Sequence, residues 1–511
     1  MKKIMVILAT MLVLVACNED LFEVENSVPM GETNGIKISL SIARNDSFGG
    51  TKATVKTDWA DNDVIFVFFK GITAPKYLEI KYNEGEWTCT AKNGLNVSDF
   101  SGATEKKMTA IYLPYGGAAT VAASEGNFIF SDMTYSGYFL KAEQVDYTFD
   151  DNVLSGSLSM IAPTLSNNSD KLIHFDISGF TSGHDYKFYQ DYVKPLTFTS
   201  VSADGVISKN EGAMGAAITG YEDGSMMSFS GILDASAVGN AVDYQFSIDD
   251  LTSSILYTRD AGTKTLSASK YIGIGAINDT QKWNAFEYVD LGLSVRWAKC
   301  NVGASTPEEY GDYYAWGEIE PYYEVGYAQE DPQAHWKTGK SEGYVWTNYR
   351  FRLDGDSDEN IKFSKYNTSS SYGTVDNNII LKPEDDVANV KWSGSWRMPT
   401  KVDQLELRNN CTWTWYSEGN SEFSGVAGYK VTSKKSGYED HFIFIPAAGY
   451  RTRTSIIFKS RYTNSPLGYY WSSSLDSNSN RDSYYISLTQ SDVDYYGEYR
   501  DFGFSIRPVC P

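Results

Sequence analysis

The sequence predicts a mainly β chain: a long β region to about residue 280, then an α+β region rich in aromatic side chains. Three observations carry this. Over residues 35–280, period-two alternation and short apolar runs recur between turn signals. No sustained helical period interrupts them. Finally, of twelve tryptophans only Trp59 and Trp87 precede residue 280; the other ten fall between Trp283 and Trp471. That shift in composition places a domain boundary near residues 278–282.

The chain opens with Lys2 and Lys3, then an apolar run over residues 4–14. The run is too short to span a hydrocarbon core of ~30 Å and reads as a secretory signal. Leu14-Val15-Ala16-Cys17 resembles the lipobox of bacterial lipoproteins. That resemblance implies cleavage before Cys17, lipid on its thiol and an acylated new N-terminus. Each buried chain CH₂ contributes ~0.8 kcal/mol, so two or three acyl chains hold a protein on a membrane durably. The acidic stretch from Asn18 through Glu23 is similar to the export signal of surface lipoproteins in Bacteroidetes. The expected location is the outer membrane, facing the exterior. Residues 18–34 are polar, with Pro29 and Gly31, and read as a flexible tether.

The β region follows. Ile36, Ile38, Leu40 and Ile42 alternate with polar residues and give one apolar face. Residues 64–69, VIFVFF, suit a strand buried on both faces. Residues 110–113, 128–130, 172–177 and 271–275 continue the series, separated by turn signals such as Gly49-Gly50, Gly116-Gly117 and Asp204-Gly205. The length of the region predicts two β-sandwiches, taken as residues 35–152 and 153–280. Trp59 is placed to cap a sandwich core, and Asp61-Asn62-Asp63 to turn into the 64–69 strand. Thr51-Lys52-Ala53-Thr54, followed by Trp59, Asp63 and that strand, resembles the N-terminal domain of fimbrillin-like proteins, although Asn62 stands where glycine is usual. The resemblance implies two tandem transthyretin-like sandwiches and, between subunits, partnership with other fimbrial subunits by strand addition.

In residues 284–511 the sequence predicts helices and aromatic strands. Thr400 is a candidate N-cap for a helix over 401–410, with Asp403 in the capping-box position; Val402, Leu405 and Leu407 are expected to face inward. Pro383 suits the first turn of a second short helix, over 384–390. Strands are expected over 442–445, 469–472, 484–488 and 502–506. The blocks YVDLGLSVRWAKCNVGA at 288–304, PEEYGDYYAWGE at 307–318, WRMPT at 396–400, YWSSS at 470–474 and FGFSIRP at 502–508 are similar, in this order, to the Fibrobacter succinogenes major paralogous domain. That resemblance covers nearly all of 284–511 and implies a C-type-lectin-like fold.

Net charge is −21, which disfavours nucleic acid and anionic lipid surfaces as partners. Five cysteines in no CxxC or Cys/His spacing disfavour zinc. An exported chain can form disulfides. At most one is expected, with Cys300–Cys411 favoured over a pair using Cys510. The four histidines (His174, His184, His335, His441) form no metal-binding spacing, and no catalytic constellation is legible, so no enzyme activity, cofactor or metal is expected. The best binding signal is aromatic. Tyr462, Tyr469, Tyr495, Tyr496 and Tyr499 lie among Ser, Asn and Asp, and tyrosine offers rigid, amphipathic contact area. The expectation is a surface-anchored adhesin, or a fimbrial tip or accessory subunit, that binds a glycan or protein ligand through 284–511. The alternatives are a glycan-capture lipoprotein of a polysaccharide uptake system and, behind it, an enzyme on a lectin-like fold.

Overall fold

The computed structural model describes residues 24–27, 31–45, 59, 61–72, 75–112, 121–124, 127–130, 140–161, 171–202, 207–223, 226–234, 236–237, 239–265, 270–329, 335–353 and 360–511. Across these the protein is mainly β, with several sheets and few helices. No described helix is long and apolar enough to cross a membrane. The predicted signal with Cys17, and the segment from Thr51 to Thr54, lie outside the described residues. The expected tether over 18–34 is partly a correction. Val24–Ser27 and Gly31–Thr33 are strands, both antiparallel to Ile36–Asn45. Their polar composition hid this, because an edge strand needs partners for its amides more than it needs an apolar face.

The chain divides into two compact units, the first comprising Met1–Asn168, Leu196–Asn210 and Ser269–Tyr271 and the second the remainder. In the first unit the sheet order is Val24–Ser27, Ile36–Asn45, Val153–Ile161, Leu140–Asp150, Lys107–Tyr112, Val64–Phe69, Tyr77–Asn83, Glu86–Lys92. Ile36, Ile38, Leu40 and Ile42 are all buried, and so is the run Ile65 to Phe69, as the two patterns predict. Trp59 packs edge-on against Trp87 at 4.8 Å and Tyr112 at 5.0 Å. Asn62 has φ +73°, a left-handed turn conformation that asparagine tolerates better than most residues. The boundary expected between residues 152 and 153 coincides with a hairpin inside this sheet. Asp151 and Asn152, both at positive φ, turn Leu140–Asp150 back into Val153–Ile161, which then runs parallel to Ile36–Asn45.

In the second unit, Lys171–Ser178 and Met226–Leu233 pair antiparallel. Across an apolar core of Ile173, Phe175, Phe188, Phe229, Phe246 and Ile248 lies the sheet of Tyr186–Tyr189, Ala241–Asp250 and Ile255–Thr265. This second sheet does not stop at residue 280. Asn284–Val289 adds to Ile255–Thr265, Arg296–Ala298 adds to Asn284–Val289, and Val509–Cys510 closes the series. The Trp-rich segment is therefore built onto this sheet by backbone pairing, and Leu256 enters its main core beside Tyr288, Trp392 and Trp396.

Beyond that sheet lie two three-stranded sheets. One joins Cys411–Tyr416, Gly428–Ser433 and Phe442–Pro446; the other joins Leu467–Leu475, Asp482–Thr489 and Val493–Tyr499. The helix Lys401–Asn410 starts on the expected capping box: Thr400 accepts the Asp403 amide and Asp403 accepts the Thr400 amide. Leu407 is buried as expected, but Val402 is 71% exposed, against expectation, and the helix buries Asp403 and Gln404 beside Leu407. Its inner face is polar because Asp403 ties to Arg397 and Gln404 donates to the Tyr470 and Trp471 carbonyls. The second helix divides into a 3-10 turn, Pro383–Asp385, and Val387–Trp392 capped by Asp386. Residues 502–506 form no strand of their own. They make isolated bridges, Phe504 to Tyr314 and Ser505 to Tyr470, and fill the core. The Cys300–Cys411 pairing is also corrected: both are free thiols. Cys411 is buried among Leu291, Trp297 and Leu407, whereas Cys300 is half-buried in the field of Arg507, Lys299 and Glu309.

Candidate functional site

The sheet ending in Val493–Tyr499 carries four of the five candidate tyrosines. Alternation along a strand sends successive side chains to opposite faces. One face is core: Val493, Leu488, Ile486 and Tyr470 pack with Leu407 of the helix. A cavity of about 10 Å³ in that layer, lined by Trp297, Gln404, Leu407, Tyr470, Ile486 and Arg507, has room for one water at most. The opposite face carries Tyr469, Tyr485 and Tyr496, one from each strand. Tyr485 stands directly opposite Tyr496 in register; its ring lies 4.8 Å from Tyr469 and 6.1 Å from Tyr496.

Around this ladder the aromatic packing continues. Tyr469, Tyr450 and Phe502 form a column of near-parallel rings, spaced 4.6 and 6.2 Å, with Phe504 edge-on against all three. Offset stacks and edge contacts of this kind contribute about 0.5–1.5 kcal/mol per pair beyond area burial. They fix the rings and so lower the entropy lost when a ligand docks.

The five candidates separate. Tyr462 is 80% exposed and lies apart from the ladder, with the Arg461 guanidinium 4.7 Å over its ring. Tyr495 points to the core face, packed on the apolar cluster with Arg408 at 5.6 Å; burial pushes its hydroxyl pKa up. Tyr499, 39% exposed, rests against Trp346 at 5.7 Å with Arg481 4.9 Å over its ring. Tyr469 is half-buried within the column. Tyr496 is 50% exposed, and among the described residues no Lys or Arg lies over its ring.

Electrostatics single out a residue that the sequence reading passed over. Glu498 lies two residues beyond Tyr496, on the same face of the strand. It is partly buried, and burial first and Asp482 second push its carboxyl above the ordinary range. It accepts the Tyr499 amide at 3.1 Å. Its charge adds to the effect of burial in raising Tyr450, Tyr469 and Tyr485. Neighbouring Asp494 is paired with Arg408 at 3.2 Å; among the described residues Glu498 has no such cation. Only the alternation of the strand could have flagged Glu498, and only once the exposure of Tyr496 at the sheet edge was known.

A second buried constellation was not legible either. His174 Nδ1 contacts Ser230 Oγ, His174 Nε2 lies 3.4 Å from Asp176 Oδ1, and Ser228 donates to Asp176. These residues face each other across the pairing of Lys171–Ser178 with Met226–Leu233. All four are at most 3% exposed, so the network holds two strands together without facing solvent. The other histidines act locally. His184 pairs with Asp250 at 3.0 Å, His335 stacks on Tyr327, and His441 Nδ1 contacts the Asp290 carbonyl at 2.6 Å. Among the described residues no group of three or more His, Cys, Asp and Glu is arranged to hold a metal ion.

No family model matches the chain, and no curated protein matches it. A solved structure from Bacteroides fragilis NCTC 9343, described as a putative cell adhesion protein, is similar at 11% identity. The match covers 42% of this chain and 80% of that chain, with a TM-score of 0.23.

Proposed function

We propose that this chain is a surface adhesin, anchored through lipid on Cys17, that binds an extracellular ligand through its C-terminal region. The observation that carries the reading is the tyrosine ladder of the 467–499 sheet: rigid rings, one open to solvent, on a pre-organised edge strand. Such a surface suits contact with a partner, because rigid aromatic anchors dominate the energy of interfaces. In the finer reading the β region comprises transthyretin-like, fimbrillin-like sandwiches, and the Trp-rich segment is C-type-lectin-like. The protein then serves as a fimbrial tip, an accessory subunit or a free-standing adhesin.

The test uses cells that carry or lack the whole chain, compared for adhesion to immobilised matrix proteins and to a glycan array. Adhesion that depends on the chain supports the reading. Equal adhesion with and without it on every surface contradicts the reading, and chain-dependent breakdown of a glycan or peptide would restore the enzyme alternative.

A further inference from the structure

Around the last sheet four partly or fully exposed tyrosines have a cation of this same chain over the ring, whereas Tyr450 and Tyr469 stack on each other in the aromatic column. Arg461 lies over Tyr462, Arg408 over Tyr495 and Arg481 over Tyr499, at 4.7, 5.6 and 4.9 Å; Lys401 Nζ lies 3.5 Å over Tyr484. Tyr496 breaks the pattern. It is half exposed, and among the described residues no cation covers it. Glu498 lies beside it on the same face of the strand. Asp494 has Arg408 within ion-pair distance, whereas Glu498 keeps a partly buried carboxylate with no cation of the described chain at that distance.

We propose that Tyr496 and Glu498 together seat a cationic side chain, a lysine or arginine on an extracellular protein partner. The inference rests on the adhesive reading of this sheet. A ring face and a carboxylate are complementary to one group: a cation is drawn to the π face and to the carboxylate. It would also offset the desolvation that Glu498 bears in the free protein. Net charge −21 favours the approach of a basic partner and opposes sulfated or sialylated glycans. Tyr485, opposite Tyr496 in register, backs the ring, so the seat is formed before the partner arrives.

The experiment measures binding of a soluble peptide of alternating lysine and glycine to the full chain, with the Nε-acetylated peptide as the uncharged counterpart. The variants are Tyr496→Leu, Tyr496→Phe, Glu498→Gln and, as a remote control, Asp440→Asn on an exposed acid. The expected result is that Tyr496→Leu and Glu498→Gln each weaken binding roughly three- to tenfold. Tyr496→Phe and Asp440→Asn should bind as the wild type does, and acetylation should abolish binding. The proposal is overturned if acetylation has no effect, if Asp440→Asn weakens binding as much as Glu498→Gln, or if Tyr496→Leu and Glu498→Gln change nothing. Chain-dependent adhesion that persists alongside any of those results would leave the adhesin reading standing and remove only the cation. Binding to neutral glycans with the lysine peptide inert would do the same.

Discussion

At the scale of single residues, the structure turns on polar groups placed where only their hydrogen bonds justify burial. Asp386 is the clearest. It caps Val387–Trp392 by accepting the Ala388 and Asn389 amides at 2.9 and 3.2 Å, and it accepts the Met398 amide at 2.8 Å. Burial nonetheless pushes its carboxyl up to about 6, against 3.8 for the ordinary group. The folded state thus holds this proton more tightly than the unfolded chain does. The contribution is complete below about pH 4 and is lost as pH rises through about 6. Relative to Asp386→Asn, which does not titrate there, wild type should lose on the order of 1–3 kcal/mol between those values. Urea midpoints of the two proteins across pH 4–7 check this; a stability difference flat with pH would refute it. Thr400→Ala should cost ~1 kcal/mol through its lost cap, read as a lower urea midpoint with unchanged slope. That cap was legible in the sequence because Thr400 and Asp403 have fixed spacing. The exposure of Val402 was not, because the helix buries Asp403 and Gln404, whose partners Arg397, Tyr470 and Trp471 come from elsewhere in the fold.

At the scale of elements, local strands were legible and their long-range pairing was not. Alternation at Ile36 to Ile42 and the buried run at Ile65 to Phe69 follow from side-chain chemistry alone. The addition of Asn284–Val289 to Ile255–Thr265 does not, since nothing in either segment encodes its neighbour. The joint is specific within the second unit. Phe286 stacks on Trp392 at 4.0 Å, Tyr288 donates to Asp249 at 2.9 Å, and Arg296 pairs with Asp249. Ser395 donates its amide to Ser247 at 2.9 Å, and Gly394 donates to Gln245 at 2.9 Å. Gly394 has φ +58°, and a Cβ there would meet Thr258 Cγ2 at 2.7 Å. Gly394→Val should therefore destabilise the second unit by about 1–3 kcal/mol, seen as a lower midpoint in tryptophan fluorescence. An unchanged midpoint would deny the close contact. The cysteines give a further check at this scale. Alkylation of denatured, unreduced protein should label both Cys300 and Cys411; a cross-linked Cys300–Cys411 peptide would contradict the free thiols.

At the scale of the whole molecule, the proposed arrangement is an anchor at one end of the chain and an adhesive edge sheet near the other. Cys17→Ala should release the protein from the membrane fraction, since the anchor contributes through its acyl chains; wild-type retention of that variant would refute lipidation. The tyrosine-rich stretch was legible from composition, which drew attention to residues 462–499. Which ring is open to solvent was not legible. Exposure depends on strand register, and the cations over Tyr495 and Tyr499 are set by the packing around the sheet. The most direct test of the account is adhesion by cells bearing the full chain with either Tyr496→Ala or Tyr462→Ala. If Tyr496 is the open ring of the adhesive sheet, its loss should lower ligand affinity tenfold or more, about 1.4 kcal/mol or above. Loss of Tyr462, more exposed but apart from the ladder, should leave adhesion near wild type. Adhesion that survives Tyr496→Ala and fails with Tyr462→Ala would contradict the account.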